Sequence, residues 1–335
     1  MARHWRIVVV VLLLIALCGC QPQVIGTERE YILARMEGDT LAVLADADPL
    51  YDQFETEVLS DAYLRLLLMT FEHTTEAFLA TNRHSPFPQT LANRPVIVLD
   101  SAAPGPLRNV RLRTGRRMVT VELALGLGRE GRLDLAFARE EMAGAIAPLL
   151  LALAGAKVPR QDVAPELAIE TAPEVAFAAG FAAALEALYA QRHPERWAAW
   201  KAQAEQDPAA RERLQRYEDV PRNAFRFRPG GDAAVLRSAE EAQRTPGVVA
   251  TFFYRLLLQA EEGYPQRFLL WFVSYAPEEV PYGKVLLAVA SLPGGQLSLP
   301  AFIASYGENF PAERQDIQKL AAEVFGPSLP GVMPQ

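Results

Sequence analysis

Between Pro173 and Tyr189 the chain carries Ala176, Ala179, Gly180, Ala183, Ala184 and Ala187 at helical spacing. Small side chains let a second backbone come close, because the separation of packed helices follows the size of the residues between them. A helix built this way belongs at the centre of a helical assembly. Thr171-Ala172-Pro173-Glu174 opens it with the pattern of a capping box, in which hydroxyl and carboxylate each satisfy a free backbone N–H.

The neighbouring segments supply the partners such a helix needs. Asp134 can cap a helix that runs to about Ala154, with Gly155 just past its end and Met142, Ile146, Leu149, Leu150 and Leu153 on its apolar side. Pro148 inside that pattern predicts a kink or a split in two. Val248–Gln259 is a strongly apolar helix, followed by Pro265–Tyr275 and Gly283–Ser291. Ser298 caps a short helix to Tyr306, and Pro311 starts a last one that stops at Gly326. Everything after Arg132 reads as helical.

The N-terminal half differs. Gln21 to about Asp48 is polar and reads as a tether plus one short helix, Glu28–Met36. Pro49 to about Thr81 has helical spacing, and Ser85-Pro86-Phe87-Pro88 ends it. Pro95–Asp100, Asn109–Arg113 and Met118–Ala124 have strand character and predict a small sheet of three strands. The fold class is therefore α+β and mostly helical. It has a small N-terminal sheet packed on a helix pair, then a helical C-terminal half. The expected organisation is a leader over 1–19, a tether over 20–47, a sheet and helix-pair domain over 48–192, a charged linker or insertion over 193–246, and a helical subdomain over 247–327.

The leader is inferred from Arg3, His4 and Arg6 ahead of the unbroken apolar run Ile7–Leu17, closed by Cys18-Gly19-Cys20. The run is too short for a membrane-spanning helix, which needs roughly 20 apolar residues. Leu17-Cys18-Gly19-Cys20 resembles the lipobox of bacterial lipoproteins. The resemblance implies that Cys20 is acylated, becomes the mature N-terminus, and holds the protein on the outer face of a cell membrane. Both cysteines of the chain lie in this region, so no thiol remains for a disulfide, a metal or a nucleophile. A net charge of −7 with both signs interspersed excludes nucleic acid as the main partner, since phosphate binding needs a concentrated basic face.

One segment carries a catalytic outline. Phe137-Ala138-Arg139-Glu140-Glu141-Met142-Ala143-Gly144-Ala145-Ile146 follows a strand and opens a helix. It resembles the His-Glu-x-x-His helix of gluzincin-type zinc peptidases. Ala176-Phe177-Ala178-Ala179-Gly180-Phe181-Ala182 resembles the downstream segment that supplies their third ligand, a glutamate. The resemblance places Glu140, Gly144 and Ala179 where the three zinc ligands would stand, and Glu141 where the catalytic glutamate would. It also implies that these positions converge beneath a cleft edged by the strand near Val119–Glu122. Zinc sites of this class use three protein ligands with one position open for water. Glycine and alanine offer no side-chain lone pair, so the expectation is a scaffold with no metal and no cofactor.

Other constellations are weaker. His73 with Glu72 and Glu76 could form an acid–base pair or half a metal site, against a reading as plain charged helix surface. Ser274, Ser291 and Ser305 sit in no Gly-x-Ser-x-Gly elbow. Arg222–Arg228 interleaves basic and aromatic residues in a Pro-bounded loop or edge strand, and Gly294-Gly295 is a turn. The leading expectation is a non-catalytic peptide- or protein-binding module on a degenerate peptidase scaffold. The alternatives are a structural or assembly lipoprotein, and a metal-independent hydrolase using Glu141 or the Glu72–His73 pair as base.

Overall fold

The computed structural model describes residues 32–45, 47–81, 96–101, 104–114, 117–129, 132–159, 165–228, 235–262, 278, 280 and 282–327, with a few side chains inside elements left aside. The architecture is α+β and mostly helical, with the strands gathered near the N-terminus.

Five strands close into a barrel: β1 (Ile32–Glu37), β2 (Thr40–Val43), β3 (Val96–Asp100), β4 (Gly105–Thr114) and β5 (Arg117–Gly126), in the order β1–β2–β4–β5–β3. β1–β2 and β4–β5 are antiparallel hairpins, and the β2–β4, β3–β5 and β1–β3 seams are parallel. The expected three strands are present, and two more join them. The segment read as a short helix, Glu28–Met36, and as part of a tether over 20–47 is corrected here: its described part is the β1–β2 hairpin. Ile32 and Ala34 face the barrel interior with Met36 packed beside them, while Leu33 faces the helical core. That is a period of two, the alternation of a strand.

The barrel has its own apolar filling, built around Val96, Val98, Leu112 and Val121. β3 is buried on both faces, because Ile97 and Leu99 point the other way into the helical core. In β4 and β5 the alternation reverses partway. Leu107 and Val110 both pack on the barrel filling, as do Val121 and Ala124, although each pair is an odd number of residues apart. Asn109 sits at the reversal with φ 52°, a left-handed backbone that asparagine tolerates better than most residues.

The helices are α1 (Pro49–Gln53), continued by a π-helical turn (Phe54–Leu59), and α2 (Ala62–Thr81). After a two-residue ribbon, β6 (Gly128–Arg129) and β7 (Arg132–Leu133), come α3 (Leu135–Glu140), α4 (Met142–Leu153), α5 (Pro173–Arg192), α6 (Pro194–Ala204) and α7 (Pro208–Arg222). A second ribbon, β8 (Phe227–Arg228) and β9 (Val235–Leu236), precedes α8 (Ala239–Gln243), α9 (Pro246–Glu262), α10 (Gly283–Ala290), α11 (Leu299–Asn309) and α12 (Arg314–Phe325). The second ribbon corrects the expectation that everything after Arg132 is helical. Ser85–Pro88 and Pro265–Tyr275 lie outside the described residues.

Local chemistry explains where the helices break. Asp134 caps α3 as expected, accepting from the Phe137 N–H at 2.9 Å. The break falls at Glu141 (φ −126°, ψ −14°) and not at Pro148, which stays inside a continuous α4. Proline tolerates that position at the cost of one hydrogen bond: it cannot donate to the carbonyl of Gly144, four residues earlier. The capping box expected at Thr171 is absent. Ala172 is the cap residue of α5 and makes no side-chain cap bond, and the Thr171 hydroxyl donates to the Ala172 carbonyl at 3.2 Å. A capping box does form at Ser238 and Glu241, opening α8. The segment 193–246 is no detached linker. Trp200, Tyr217 and Val220 from α6 and α7 are part of the core, and α7 packs against both α5 and α9.

α5 occupies the centre, packed on α9, α4 and α7. Gly180 sets its approach to α9: a Cβ there would lie 2.7 Å from the Cβ of Val249 and 2.9 Å from the Pro246 carbonyl. Phe177 and Phe181 flank this contact and meet Phe253 edge-on, with ring centroids at 4.9 and 5.3 Å. Replacing Gly180 by Ala should therefore lower stability by about 1–3 kcal/mol through overpacking. This outweighs the gain of about 1 kcal/mol that alanine brings to an uncrowded helix. Urea unfolding of the two chains measures the difference, and a more stable G180A would contradict this packing.

Candidate functional site

A cavity of about 760 Å³ opens between β4, α4, α5, α7 and the chain linking α4 to α5. That volume falls in the range of small-molecule and peptide pockets, roughly 300–1,000 Å³. Its floor is the small-residue face of α5, where Ala178, Ala179, Ala182 and Ala183 stand in successive turns. Pro106, Leu107, Pro148, Val158 and Leu167 supply apolar walls. The ionisable groups among the described lining residues are Arg108, Glu186, Arg216 and Tyr217.

Glu186 lies on α5 seven residues beyond Ala179, so two helical turns carry it along the same face. Its carboxyl group reaches toward α4 at Gly144. A Cβ on Gly144 would lie 2.0 Å from Glu186 Oε1 and 2.9 Å from Cδ. The glycine leaves the room that the carboxylate fills, and a side chain there would push the end of Glu186 aside. Glu186 is half-buried, and the loss of water around its carboxyl pushes it up from its ordinary 4.5 to about 7; the Arg216 guanidinium opposes the rise, Glu141 adds to it, and Arg213 opposes it. Burial acts this way because removing water disfavours the charged form.

α7 is fixed across from α5 by polar bonds. Gln191 Nε2 donates to the Tyr217 carbonyl at 2.7 Å, and the Tyr254 hydroxyl donates to Gln191 Oε1 at 2.9 Å. The Tyr217 hydroxyl donates to the Glu140 carbonyl at 3.3 Å, and its pKa is raised by burial. Behind Tyr217 runs an aromatic stack: Trp200 meets it at 5.7 Å between centroids, and Tyr63 meets Trp200 edge-on at 6.0 Å. This stack joins α2 to the rear wall of the site.

The residues singled out from sequence fare differently. Gly144 and Ala179 line the same cavity. Glu140 does not line it, and its carboxylate is held by Arg213 in an ion pair. Glu141 is exposed at the α3–α4 break. The bordering strand is β4 at Pro106–Asn109, in place of the expected Val119–Glu122 of β5. The three positions do not fit a zinc ion: two have no ligating atom in the side chain, and the third is committed to Arg213. Among the described residues no group of three or more His, Cys, Asp or Glu side chains is arranged to hold a metal ion.

Glu72 is 3% exposed, which corrects its reading as plain helix surface. His73, beside it on α2, is half-buried and engaged, and the Glu76 side chain lies outside the described ones, as does Ser274. The Ser291 and Ser305 hydroxyls donate to the Leu287 and Ala288 carbonyls, as structural bonds. In Arg222–Arg228 the basic and aromatic residues serve the fold. Arg226 is buried and donates to the carbonyls of Arg237, Ser238 and Phe325, while Phe225 packs on Gly247. Cys20 lies outside the described residues.

Glu186, Arg216, Tyr217 and Arg108 went unnoticed in the sequence. One signal could have found the first: Glu186 is the only charged residue between Glu174 and Arg192. A lone carboxylate on an alanine face has to meet something inside.

Comparison with protein-family models, with curated proteins and with solved structures finds no match to this chain.

Two outcomes follow from the Glu186–Gly144 contact. In the fold Glu186 keeps its proton up to about pH 7, whereas the unfolded chain releases it near 4.5. The stabilising contribution of the protonated form is complete below the unfolded value and is lost as pH rises through 7. Glu186→Gln should accordingly raise the thermal midpoint by roughly 2–4 °C at pH 8 and leave it nearly unchanged at pH 4.5. Equal shifts at both pH values would count against the raised carboxyl of Glu186. Gly144→Ala should destabilise the native chain, and a double-mutant cycle with Glu186→Ala should recover at least about 0.5 kcal/mol of coupling.

Proposed function

We propose that the chain is a lipid-anchored extracytoplasmic protein that holds a peptide or a protein segment in this cavity without cutting it, on a scaffold of degenerate zincin type. The observation that carries the reading is the lining itself. Gly144 and Ala179 share one cavity, neither can ligate a metal, and the space above Gly144 is taken by Glu186. A second support is the wall that β4 contributes at Pro106–Asn109, an extended stretch of chain alongside the cavity. Glu141, the residue a hydrolase reading relies on, is exposed and outside the lining.

A structural or assembly role is the second reading, favoured by one feature. Phe227 and Leu236 face each other across the β8–β9 ribbon and remain 47% and 57% exposed, an apolar pair that a stable partner could cover. Anchoring rests on Leu17-Cys18-Gly19-Cys20 in the sequence. Among the described residues no helix is long and apolar enough to cross a membrane.

Incubating the purified protein with a degenerate peptide library, then analysing captured and total peptides by mass spectrometry, tests the main reading. Peptides should be retained and returned intact, and metal analysis should find less than stoichiometric zinc. Cleaved peptides, or one zinc per chain, would contradict it. Metabolic labelling with an alkyne fatty acid should tag the native chain, and Cys20→Ser should abolish the label. A tag that survives the substitution would exclude Cys20 as the anchor.

A further inference from the structure

Charge around the cavity is opposite in sign to charge on the chain. The protein carries −7 overall, yet the lining offers two guanidinium groups, Arg108 and Arg216, against one carboxyl, Glu186. The two arginines are exposed and stand at the mouth, one on β4 and one on α7, so they face a ligand from two elements. Among the described residues neither is neutralised by an ion pair. Glu140 on α3 is taken by Arg213, three residues before Arg216 on α7. Arg108 makes only a long contact, 3.5 Å from Nη1 to the Val158 carbonyl. The carboxyl does not cancel this excess, because Glu186 lies back against Gly144 and the fold holds much of it protonated near neutral pH.

Beneath that basic mouth the surface is apolar and smooth. The alanines of α5 and the prolines of β4 and α4 offer few hydrogen-bonding groups, and the protonated Glu186 adds one donor at the back. Planar guanidinium groups bind carboxylates with paired N–H donors, which favours this anion over a diffuse negative charge.

We infer that the cavity selects a ligand in which a carboxylate is carried on an apolar body, the carboxylate meeting Arg108 and Arg216 at the mouth and the body lying along the alanine floor. This rests on the binding role proposed above and names the class of ligand that role would take. Such a carboxylate could end a peptide or a fatty acid, and the chemistry at the mouth is the same for both.

Calorimetric titration of the chain from Gln21 onward tests the inference; every described element lies beyond residue 31, so this chain contains the whole described fold. The probes are acetyl-Leu-Ala-Leu as free acid and as amide, with octanoate, octanol and octylamine kept below aggregation. At pH 7 each acid should bind at least tenfold more tightly than its neutral counterpart, and octylamine should bind least. Arg108→Gln with Arg216→Gln should erase the acid preference and leave the neutral affinities in place, while Arg222→Gln, on α7 outside the lining, should keep it. A stronger response to the peptide acid than to octanoate identifies a peptide terminus as the source, and the reverse identifies a lipid and overturns the peptide-holding role proposed above. Acids and neutral probes binding equally, tightest binding of the amine, or a preference that survives the double substitution would each overturn the inference while leaving the binding role standing. Binding of no probe at all would remove both.

Discussion

Gly180 lets α5 stand where it does against α9, and Gly144 leaves room for the Glu186 side chain between α5 and α4. At Gly180 the backbone of α9 comes so near that no side chain fits between, and at Gly144 a carboxylate from α5 takes the place of a side chain on α4. The first approach sets α5 close against α9, and the second seats a side chain of α5 against α4. Everything that forms the cavity follows from that placement. The alanines become a floor because the helix is central, and α7 becomes a wall because Gln191 ties it to α5 and α9 together. Close packing explains the strictness: interiors are dense enough that one added methyl group is felt.

The same placement gives the cavity its electrostatic character. A carboxyl carried on the small-residue face of a central helix cannot be fully hydrated, so the fold favours its neutral form. The cations that moderate this, Arg216 and Arg213, come from α7, and the anion that aggravates it, Glu141, comes from the break between α3 and α4. Arg213 spends its charge on Glu140, while Arg216 remains at the mouth. A largely acidic chain thus presents a basic, apolar-floored recess. The barrel contributes one strand to it, and the left-handed turn of the backbone at Asn109 lies within that strand's share of the wall.

Much of the helical half was legible because its evidence is local. The small residues from Ala176 to Ala187 announced a central helix, Asp134 announced a helix start, and the strands β3, β4 and β5 showed in runs of β-branched and alternating residues. The barrel was not legible, since β1 closes it by pairing in parallel with β3, some sixty residues away (Ile32 with Val96). No pattern within Ile32–Glu37 reveals that partner, and Leu33, Arg35 and Met36 suit a helix as well as a strand. Thr171 had the residues of a capping box, but its backbone N–H bonds the Arg244 carbonyl and the chain enters the helix at Ala172. Of the site, Gly144 and Ala179 line one cavity, while Glu140 and the strand at Val119–Glu122 do not line it. The carboxylate that fills the gap was overlooked, because attention fell on the adjacent pair Glu140 and Glu141, neither of which lines the cavity. Glu186 needed the question of what an isolated charge on an alanine face would touch.

The ionisation of Glu186 itself tests this account most directly. Carbon-13 NMR of glutamate side-chain carboxyls, titrated from pH 3 to 10 and assigned by the signal that Glu186→Gln removes, reads it without any ligand. The account predicts one carboxyl with a midpoint near 7, lodged against Gly144. A midpoint near the ordinary 4.5 would mean that the carboxylate faces water and does not lodge against Gly144 as described here.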